Sequence, residues 1–329
     1  MSKKLRWGII GPGKIAHKFA QGLATLSGAS LQAVASRNLE KARAFASEYG
    51  AQTAHGSYED LAQDPDVDIV YVATPHPYHK EVTLLCLSHG KHVLCEKPLS
   101  LNAQDGEEMF RAAEENGVFL MEAMWTRFLP AWRQVRQWLD EGAIGEVQLL
   151  IADFCFRSST WDLTDRKFAP ELGGGALLDI GIYPIATAYF IFGEEPVAVQ
   201  STATLGATGT DDQSSYLFRY HSGAQAVLTS SFLTDGPKEA IICGTKGKIR
   251  VPLFWKAEEA ILEVTDEAPV IFDGSYQATG LQFQAEAIAA DLAAGKLEND
   301  IMPASETLRV ARMMDRLRED WGLKYPQEG

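Results

Sequence analysis

The chain of 329 residues has little positive charge. Its 30 lysines and arginines stand against 44 aspartates and glutamates, so the formal net charge is −14 at pH 7. A protein that binds nucleic acid needs a basic surface that neutralises phosphates. This composition supplies no such surface, and we expect no nucleic-acid partner.

Cysteine pairs with diagnostic spacing and long apolar runs are also lacking. The four cysteines show no C-x-x-C pattern, which favours reduced thiols over disulfides. No window approaches the roughly 20 apolar residues of a membrane span. The N-terminal MSKKLRWGIIGPG meets glycines and a proline where a signal peptide continues as an apolar stretch. These absences predict a soluble cytoplasmic protein with no membrane partner.

What is present indicates two domains, because 329 residues exceed what one hydrophobic core usually serves. In residues 1–124, apolar runs alternate with segments of helical spacing, and VDIVYVATP gives the strongest signal of a buried strand. Strands without polar alternation, separated by helices, form a parallel sheet covered on both faces. We predict a doubly wound α/β domain of the Rossmann type here.

Residues 125–329 follow a different pattern. Long alternating segments such as EVQLLIADFCF and AQAVLTSSFL predict a large, mostly antiparallel sheet in an α+β domain, and two helices close the chain. Helices on one face of such a sheet leave the other face open. We expect a homodimer or higher homo-oligomer through that face.

A dinucleotide motif lies between the first strand and the first helix. The sequence reads G-x-G-x-x-A, formed by Gly11, Pro12, Gly13, Lys14, Ile15 and Ala16. Glycines let the backbone approach a pyrophosphate, and a helix N-terminus presents unpaired N–H groups to it. In this context a bound dinucleotide is a better interpretation than a mere tight turn.

The end of the second predicted strand bears on the choice between NAD and NADP. A carboxylate here would bind the ribose hydroxyls of NAD, but the sequence has Ser36 and Arg37, with Lys41 one helical turn further. A hydroxyl and two cations suit the extra phosphate of NADP. We favour NADP over NAD; the alternative is an ordinary solvated helix start.

Two histidine pairs, His76/His79 and His89/His92, have the i, i+3 spacing of metal ligands. Neither pair has nearby cysteines or carboxylates that complete a ligand set, so we predict no metal site. We assign Thr74, Pro75, His76 and His79 to the cofactor edge, because they follow the strand VYVATP; for the histidines, helix capping is the alternative.

Two further features leave alternatives open. Glu96 and Lys97 end a buried strand in VLCEKPLS, although both are residue types seldom found inside proteins. They indicate either a solvent-facing strand end or an active site. Gly173, Gly174 and Gly175 precede ALLDIGIY, and they either let the backbone approach a ligand or start a helix close to the sheet.

Together with GKHVLCEKP, MEAMWTRF and GGGALLDIGIY, these motifs resemble the glucose–fructose oxidoreductase/inositol dehydrogenase family along nearly the whole chain. WGII, GSYEDLAQDP and PHPYHK resemble its dimeric dihydrodiol dehydrogenase and NADP-dependent xylose dehydrogenase branch. The resemblance implies a Rossmann domain, a second domain whose sheet makes dimer contacts, and reversible hydride transfer between NAD(P) and an alcohol.

The resemblance also implies roles for individual residues. Lys97 would stand beside the nicotinamide and the reacting hydroxyl, with Glu96 and Pro98 holding it. Many members carry histidine four residues after the aspartate that corresponds to Asp179, whereas this chain has Tyr183. A tyrosine does acid–base work when a nearby ammonium favours the phenolate. A histidine-based mechanism is therefore in doubt.

Aromatic and basic residues complete the set of candidates. The resemblance places Trp125 and Phe154 in the substrate pocket, where ordinary core packing is the alternative, and we assign Trp125 and Arg127 to the cofactor as well. The resulting hypothesis is an NADP-dependent dehydrogenase that acts on a secondary alcohol of a sugar, polyol or trans-dihydrodiol. A non-catalytic NADP sensor of the same fold is the first alternative, and a metal-dependent lyase or hydrolase is the second.

Overall fold

The computed structural model describes residues 4–328, which divide into two compact units. The first unit runs to Trp125 and also includes Tyr276–Leu308; the second comprises Thr126–Ser275 and the chain from Arg309 onwards. A domain boundary after residue 124 remains a prediction. The segment Tyr276–Leu308 adds to the first unit a part of the chain that strand and helix patterns assigned to the second.

The first unit contains a parallel sheet, which in the described residues has six strands in the order β3-β2-β1-β4-β5-β6. This order and the intervening helices confirm the predicted doubly wound fold. The strands are β1 (Leu5–Ile10), β2 (Ala29–Ala35), β3 (Thr53–His55), β4 (Ile69–Val72), β5 (His92–Cys95) and β6 (Leu120–Glu122). The helices are α1 (Lys14–Leu23), α2 (Leu39–Tyr49), α3 (Tyr58–Gln63), α4 (His79–Ser88) and α5 (Ala103–Asn116).

Local signals explain where these elements begin and what they bury. The side chain of Asn38 accepts a hydrogen bond from the Lys41 N–H at the start of α2, and Ser57 accepts one from the Asp60 N–H at the start of α3. Every residue of β4 is buried, as its run of apolar side chains requires.

The second unit is built on a larger sheet. Within the described chain it has eight strands in the order β14-β13-β12-β11-β7-β10-β9-β8, and all neighbours are antiparallel except β7 and β10. The predicted mostly antiparallel sheet is confirmed. The strands are β7 (Val147–Cys155), β8 (Ala198–Leu205), β9 (Asp211–Arg219), β10 (Gln225–Ser231), β11 (Glu239–Gly244), β12 (Gly247–Pro252), β13 (Glu259–Val264) and β14 (Val270–Asp273).

Four longer helices complete the description. They are α6 (Pro130–Asp140), α7 (Ile182–Phe192), α8 (Gln282–Ala293) and α9 (Ala304–Trp321). A π-helical turn, Leu177–Gly181, leads directly into α7. Helix α8 lies against α1 in the first unit, where the Thr279 hydroxyl donates a 2.8 Å hydrogen bond to the Lys18 carbonyl.

The segment Pro170–Phe192 corrects one expectation from the sequence. It is long enough to cross a membrane, and its most apolar window has a mean hydropathy of 1.5, whereas no such window was expected. The structure buries 89% of that window inside the protein. The core helix of a folded domain has this composition, because all its faces are covered.

Candidate active site

The dinucleotide turn follows β1 and has the geometry that the motif predicts. Gly11 has φ +87°, and a Cβ there would lie 2.8 Å from the Ala73 carbonyl oxygen. Only glycine therefore lets this turn approach the chain that follows β4. Around the Cβ position of Gly13, just before α1, no atom of the described chain lies within 4 Å. The N-terminus of α1 thus faces open space, which fits a bound pyrophosphate.

The other four residues of the dinucleotide motif differ in how far their side chains are exposed to solvent. Pro12 is half-buried and Lys14 is exposed, whereas Ala16 is fully buried. Ile15 is half-buried at the first turn of α1. The turn therefore offers backbone N–H groups and one cation on its open side, and α1 is anchored in the core by its apolar residues.

The end of β2 presents two cations to solvent. Ser36 is buried, and its hydroxyl accepts a hydrogen bond from the Asn38 N–H at 3.2 Å. Arg37 is exposed, and its guanidinium carbon lies 5.5 Å from the centre of the Tyr78 ring. Lys41 is exposed on the first turn of α2. The structure thus places Arg37 on an aromatic ring that orients it.

Thr74 and its neighbours lie at the carboxyl end of β4. Thr74 is buried, and its hydroxyl oxygen has no hydrogen-bond partner among residues 4–328. A buried hydroxyl normally has a partner, so this atom suits a group supplied by a bound molecule. Pro75 is exposed and His76 is half-buried, with the His76 ring 5.7 Å from that of His79.

The sequence assigned His79 to the cofactor edge, but in the structure its ring is surrounded by protein groups. It is fully buried, with Nδ1 2.8 Å from the Pro98 carbonyl oxygen and Nε2 2.8 Å from the Thr74 carbonyl oxygen. Burial lowers the pKa of His79, and the positive charge of Lys97 lowers it further. Each ring nitrogen faces a main-chain carbonyl, and the neutral imidazole donates its one N–H to one of the two, so His79 packs between the chain after β4 and the chain that carries Lys97.

Glu96 and Lys97 follow β5, and the Glu96 carboxylate is hydrogen-bonded to a buried tyrosine and to the backbone of Lys97. The Tyr71 hydroxyl donates a short hydrogen bond to Glu96 Oε1, and the Lys97 N–H donates one to Glu96 Oε2 at 3.3 Å. Glu96 is only 6% exposed, whereas Lys97 is half-buried. The peptide bond between Lys97 and Pro98 is cis. Of the two predicted alternatives, a solvent-facing strand end does not describe Glu96.

A second buried carboxylate supports the same loop. Glu122, the last residue of β6, is 2% exposed and accepts a 2.9 Å hydrogen bond from the Leu99 N–H. Its strand neighbour in the sheet is Cys95, directly before Glu96. Residues 96–99 are therefore fixed by side chains from β4, β6 and α4. The sequence alone gave no indication of the contribution of Glu122.

In the second unit, Asp179 lies within the π-helical turn and Tyr183 at the start of α7. The predicted helix is present, but its first turn is wider than an α-helical turn. Asp179 accepts two hydrogen bonds from the Arg166 guanidinium, at 3.1 Å to Oδ1 and 3.4 Å to Oδ2. This paired geometry fixes the orientation of the carboxylate.

Phe154 and Tyr183 come together in an aromatic cluster. Phe154 is the second-last residue of β7, and its ring centre is 5.5 Å from that of Tyr183 in an edge-on arrangement. Trp255 stacks on the other side of Phe154 at 4.2 Å. The Thr126 hydroxyl donates a 2.8 Å hydrogen bond to the Trp255 carbonyl and so holds the turn that carries this indole.

Trp125 and Arg127 lie on a short 3₁₀ turn, Trp125–Phe128. Trp125 is half-buried, whereas Arg127 is buried. The Arg127 guanidinium donates a 2.8 Å hydrogen bond to the Ala186 carbonyl and lies over the Phe190 ring. These contacts are within the second unit, so they tie Arg127 to α7; a cofactor contact for Arg127 remains a prediction.

The glycine run before the π-helical turn contacts protein. A Cβ at Gly174 would lie 2.9 Å from backbone atoms of Ala169, and a Cβ at Gly175 would lie 2.5 Å from Asp211 Oδ1. Gly175 also has φ +116°, a conformation that side chains disfavour. Of the two predicted alternatives, the structure supports a helix that starts close to the sheet.

The residues that the structure describes include no group of three or more histidines, cysteines, aspartates or glutamates placed to hold a metal ion. His89 and His92 instead make separate hydrogen bonds, to the Leu85 carbonyl and the Phe119 N–H.

Reasoning from the sequence missed Tyr71, Glu122, Arg166 and Trp255. Only Tyr71 carried a usable signal, because a tyrosine in a fully buried strand needs a partner for its hydroxyl. The other three depend on contacts between distant parts of the chain.

Comparison with known proteins agrees with this geometry. Residues 5–124 match the family model "Oxidoreductase family, NAD-binding Rossmann fold", and residues 132–250 match the "GFO/IDH/MocA C-terminal domain". The chain is 39% identical to the trans-1,2-dihydrobenzene-1,2-diol dehydrogenase of Xenopus tropicalis, over 98% of this chain and 99% of the relative.

Two solved structures show the same fold. One is an aldose-aldose oxidoreductase from Caulobacter crescentus complexed with glycerol, with a TM-score of 0.87 and 25% identity over 97% of this chain and 98% of that one. The other is a 3-ketoreductase from Actinomadura kijaniata in complex with NADP and TDP-benzene, with a TM-score of 0.85 and 27% identity over 96% and 98%.

Proposed function

Because the chain belongs to the GFO/IDH/MocA oxidoreductase family, we propose that it is an NADP-dependent dehydrogenase of a secondary alcohol in a sugar, polyol or trans-dihydrodiol. It is an oxidoreductase that acts on CH–OH groups, as its relatives are. In this proposal residues 1–124 bind the cofactor and residues 125–329 bind the substrate.

The observation that carries the proposal is the way the Lys97 loop is attached to the dinucleotide turn. Gly11 packs against Ala73 and Thr74. The Thr74 carbonyl faces one nitrogen of His79, and the Pro98 carbonyl faces the other, each at 2.8 Å. One imidazole thus connects the backbone at the cofactor motif to the backbone beside Lys97. A catalytic side chain needs support of this kind, because its productive geometry has to be held closely.

The proposed cofactor is NADP rather than NAD. The pyrophosphate would lie at the turn of Gly11 and Gly13, and the 2′-phosphate would be bound by Ser36, Arg37 and Lys41. The end of β2 and the first turn of α2 offer exposed cations at Arg37 and Lys41, and the carboxylate of that turn, Glu40, is paired with Arg43 at 2.8 Å. When bound, the nicotinamide accepts hydride from the alcohol carbon or returns it.

Protein side chains then have to manage the hydroxyl proton. We assign Tyr183 as the base that takes it, and Lys97 as the cation that favours the phenolate and orients the alcohol. Asp179, oriented by Arg166, accepts a hydrogen bond from another substrate hydroxyl. The rings of Phe154 and Trp255 supply an apolar surface that suits the face of a sugar or of an aromatic diol.

We further propose that two chains associate through the open face of the second unit's sheet. Leu217, Val227 and Ile151 are cross-strand neighbours on β9, β10 and β7, and they are 37, 41 and 42% exposed. Ile271 on β14 is 65% exposed. Apolar side chains aligned across a sheet are typical of an interface. A second copy of the chain presents the same apolar row, so the contact is self-complementary.

We also propose a cytoplasmic location. In the described part of the chain all four cysteines are free thiols, and Cys86, Cys95 and Cys155 are buried. A reducing compartment keeps such thiols free.

The test is turnover by the purified protein with NADP or NADPH and a panel of aldoses, polyols and trans-dihydrodiols, followed by NADPH absorbance. Tyr183→Phe keeps the ring and removes the titrating group, so kcat should fall by about two or more orders of magnitude. NADP affinity should not change. Lys97→Met should cost as much, and the double variant little more, because the two residues act together.

Tyr189→Phe is the matched control, since Tyr189 lies on the same helix but its hydroxyl binds Glu195 at 2.6 Å. It should keep normal turnover. No turnover with any substrate of the panel, or a Tyr183→Phe enzyme with normal kcat, would overturn the proposed function or the role of Tyr183, respectively.

A further inference from the structure

A buried polar network lies against the π-helical turn that carries Asp179. Its members are Asp211, Ser214, Tyr216 and Ser230, and none is more than 2% exposed. The Ser214 hydroxyl is 2.9 Å from Asp211 Oδ2 and 2.6 Å from the Tyr216 hydroxyl, which is 2.8 Å from the Ser230 hydroxyl. The mechanism proposed above uses none of these groups.

The network contacts the turn at both ends. Asp211 Oδ2 accepts a 2.8 Å hydrogen bond from the N–H of Leu177, the first residue of the turn, and Oδ1 lies beside Gly175. At the other end, a Cβ at Gly181 would lie 2.7 Å from the Tyr216 hydroxyl and 2.9 Å from the Ser230 hydroxyl. Asp179 lies between these contacts, and Tyr183 follows them directly.

A fully buried carboxyl is costly to retain. Asp211 Oδ1 has no hydrogen-bond partner among residues 4–328. Hydrogen bonds to both carboxyl oxygens therefore do not explain why an aspartate is present here. The contact with Leu177 and Gly175 does explain it.

We propose that Asp211 is a positioning residue of the active site, whose carboxyl accepts the Leu177 N–H and thereby fixes the direction of Asp179 and Tyr183. The proposal rests on the proposed function, because that function gives Asp179 and Tyr183 their roles. Asp211 itself touches no substrate. Its effect is transmitted through the backbone of the turn Leu177–Gly181.

The charge state of Asp211 adds a signature that a purely structural residue lacks. Burial raises the pKa of Asp211 to about 7. The titratable groups that act on it are Tyr216 on its own strand, Tyr325 from the C-terminal segment, whose hydroxyl donates to the Gly174 carbonyl at 2.6 Å, and the charge of Asp212, whose side chain points to the other side of the strand. Burial raises the pKa values of both tyrosines, so they stay protonated at neutral pH.

Two more groups, one charged and one ionisable, lie next to these tyrosines. The Arg318 guanidinium lies 5.0 Å from the centre of the Tyr325 ring. Burial raises the pKa of Cys155, next to Tyr216, to about 12. Burial also raises the pKa of Asp212, whereas the two tyrosines and Cys155 stay protonated at neutral pH. Opening the turn hydrates Asp211 and returns its pKa toward the ordinary value of 3.8, so opening becomes easier as the pH rises from about 4 to 7 and changes no further above 7.

The experiment is hydrogen–deuterium exchange of the peptide that contains Leu177, measured at about pH 5 and about pH 7, which lie between the ordinary and the raised pKa of Asp211, and corrected for intrinsic rates. In the wild type we expect exchange to accelerate by about tenfold per pH unit between about pH 5 and 7, and to level off above 7. Asp211→Asn keeps an uncharged acceptor, so its exchange should be slow at both pH values. Asp211→Ala removes the acceptor, so its exchange should be about tenfold faster than that of Asp211→Asn at both pH values.

Turnover supplies the second measurement. Asp211→Ala should lower kcat by about tenfold without changing the KM for NADP, whereas Asp211→Asn should keep the wild-type kcat on the acid side of pH 7. Asp212→Ala is the matched control, because the Asp212 side chain faces Gly206 on the opposite side of the strand. It should leave the kcat unchanged and should keep the pH dependence of the exchange, because the charge of Asp212 is the smallest of the causes that shift the pKa of Asp211.

Equal exchange in the wild type, Asp211→Asn and Asp211→Ala, at both pH values, would overturn the proposal. If Asp211→Ala does not fold, the comparison of the wild type with Asp211→Asn still decides, because a wild type whose exchange has the same pH dependence as that of Asp211→Asn contradicts the role of Asp211. If the wild type turns over no substrate, the proposed function fails, but the exchange measurement still tests Asp211.

Discussion

The Tyr71 hydroxyl donates a hydrogen bond to the buried carboxylate of Glu96, directly before Lys97. Tyr71 is itself fully buried, and its ring stacks on that of Phe19, which lies on the helix that follows the dinucleotide turn, with 3.9 Å between ring centres. A continuous line of contacts therefore runs from α1 through β4 to the loop of the proposed catalytic lysine. Tyr71 supports this loop without being exposed to substrate.

We expect Tyr71→Phe to lower kcat by about tenfold and to leave NADP affinity unchanged. The variant keeps the stacked ring but removes the donor to a buried carboxylate, which destabilises the fold by about 1–3 kcal/mol. Steady-state kinetics and urea unfolding measure the two effects.

Tyr189→Phe is the matched control, because it removes an equivalent tyrosine–glutamate hydrogen bond, to Glu195, at a place that is not part of the site. It should lose stability and keep its kcat. If the two variants reduced kcat equally, the link from Tyr71 to Lys97 would be refuted.

Tyr71 and Glu96 also show which features of the structure could be predicted from the sequence and which could not. Helix starts at Asn38 and Ser57 were predictable because each cap bonds a backbone N–H only three residues away. The strand that contains Tyr71 was predictable from its apolar run. The partner of the Tyr71 hydroxyl was not, because Glu96 is 25 residues distant along the chain.

The glycine run gives a second example. Sequence patterns left open whether Gly173–Gly175 approaches a ligand or a sheet, because glycine permits both. The choice depends on Asp211, whose contact with Leu177 spans 34 residues. Motifs with local physics, such as the dinucleotide turn, were therefore predictable in detail. Groups that act through tertiary contacts, such as Glu122 and Arg166, were not.

Arg37→Ala should weaken NADP binding by about one to two orders of magnitude and leave NAD binding nearly unchanged. A charge-assisted hydrogen bond to the 2′-phosphate contributes about 1.5–3 kcal/mol, and NAD lacks that phosphate. Dissociation constants of the two cofactors, measured by fluorescence titration, test this.

Arg43→Ala serves as the control, since Arg43 lies on helix α2, which follows Arg37, and its guanidinium pairs with the exposed carboxylate of Glu40 at 2.8 Å. It should affect neither cofactor. Equal weakening of NADP and NAD by Arg37→Ala would contradict a phosphate role for Arg37.

If two chains associate as proposed, Val227→Glu should convert that dimer into a monomer, because a buried unpaired carboxylate in the apolar row of the interface is strongly unfavourable. Light scattering coupled to size exclusion measures the mass. Gln225→Glu, two residues earlier on the same strand, carries the same charge outside the apolar row and should stay dimeric. A wild type that is monomeric at all concentrations would contradict the proposed interface.

The last prediction concerns the pH dependence of stability, to which His79 and Asp211 contribute with opposite signs. Burial lowers the pKa of His79 in the folded state, so the unfolded chain binds the extra proton first. The stability from neutral His79 is present above about pH 6.5 and is lost as the pH falls below it. Burial raises the pKa of Asp211 from 3.8 to about 7, so its contribution is present at low pH and is lost as the pH rises from about 4 to 7.

Single variants should therefore change the slope of the free energy of unfolding between about pH 5 and 7 in opposite directions. As Asp211 ionises, the wild type loses about 4 kcal/mol of stability on going from low pH to neutral pH. Asp211→Asn lacks this loss, so its free energy of unfolding should increase more steeply with pH than that of the wild type. His79→Gln should make the slope more negative. His89→Gln, at an exposed position, should match the wild type. Urea unfolding at a series of pH values measures all four proteins, and two variants with the same slope as the wild type would show that neither buried group titrates on unfolding.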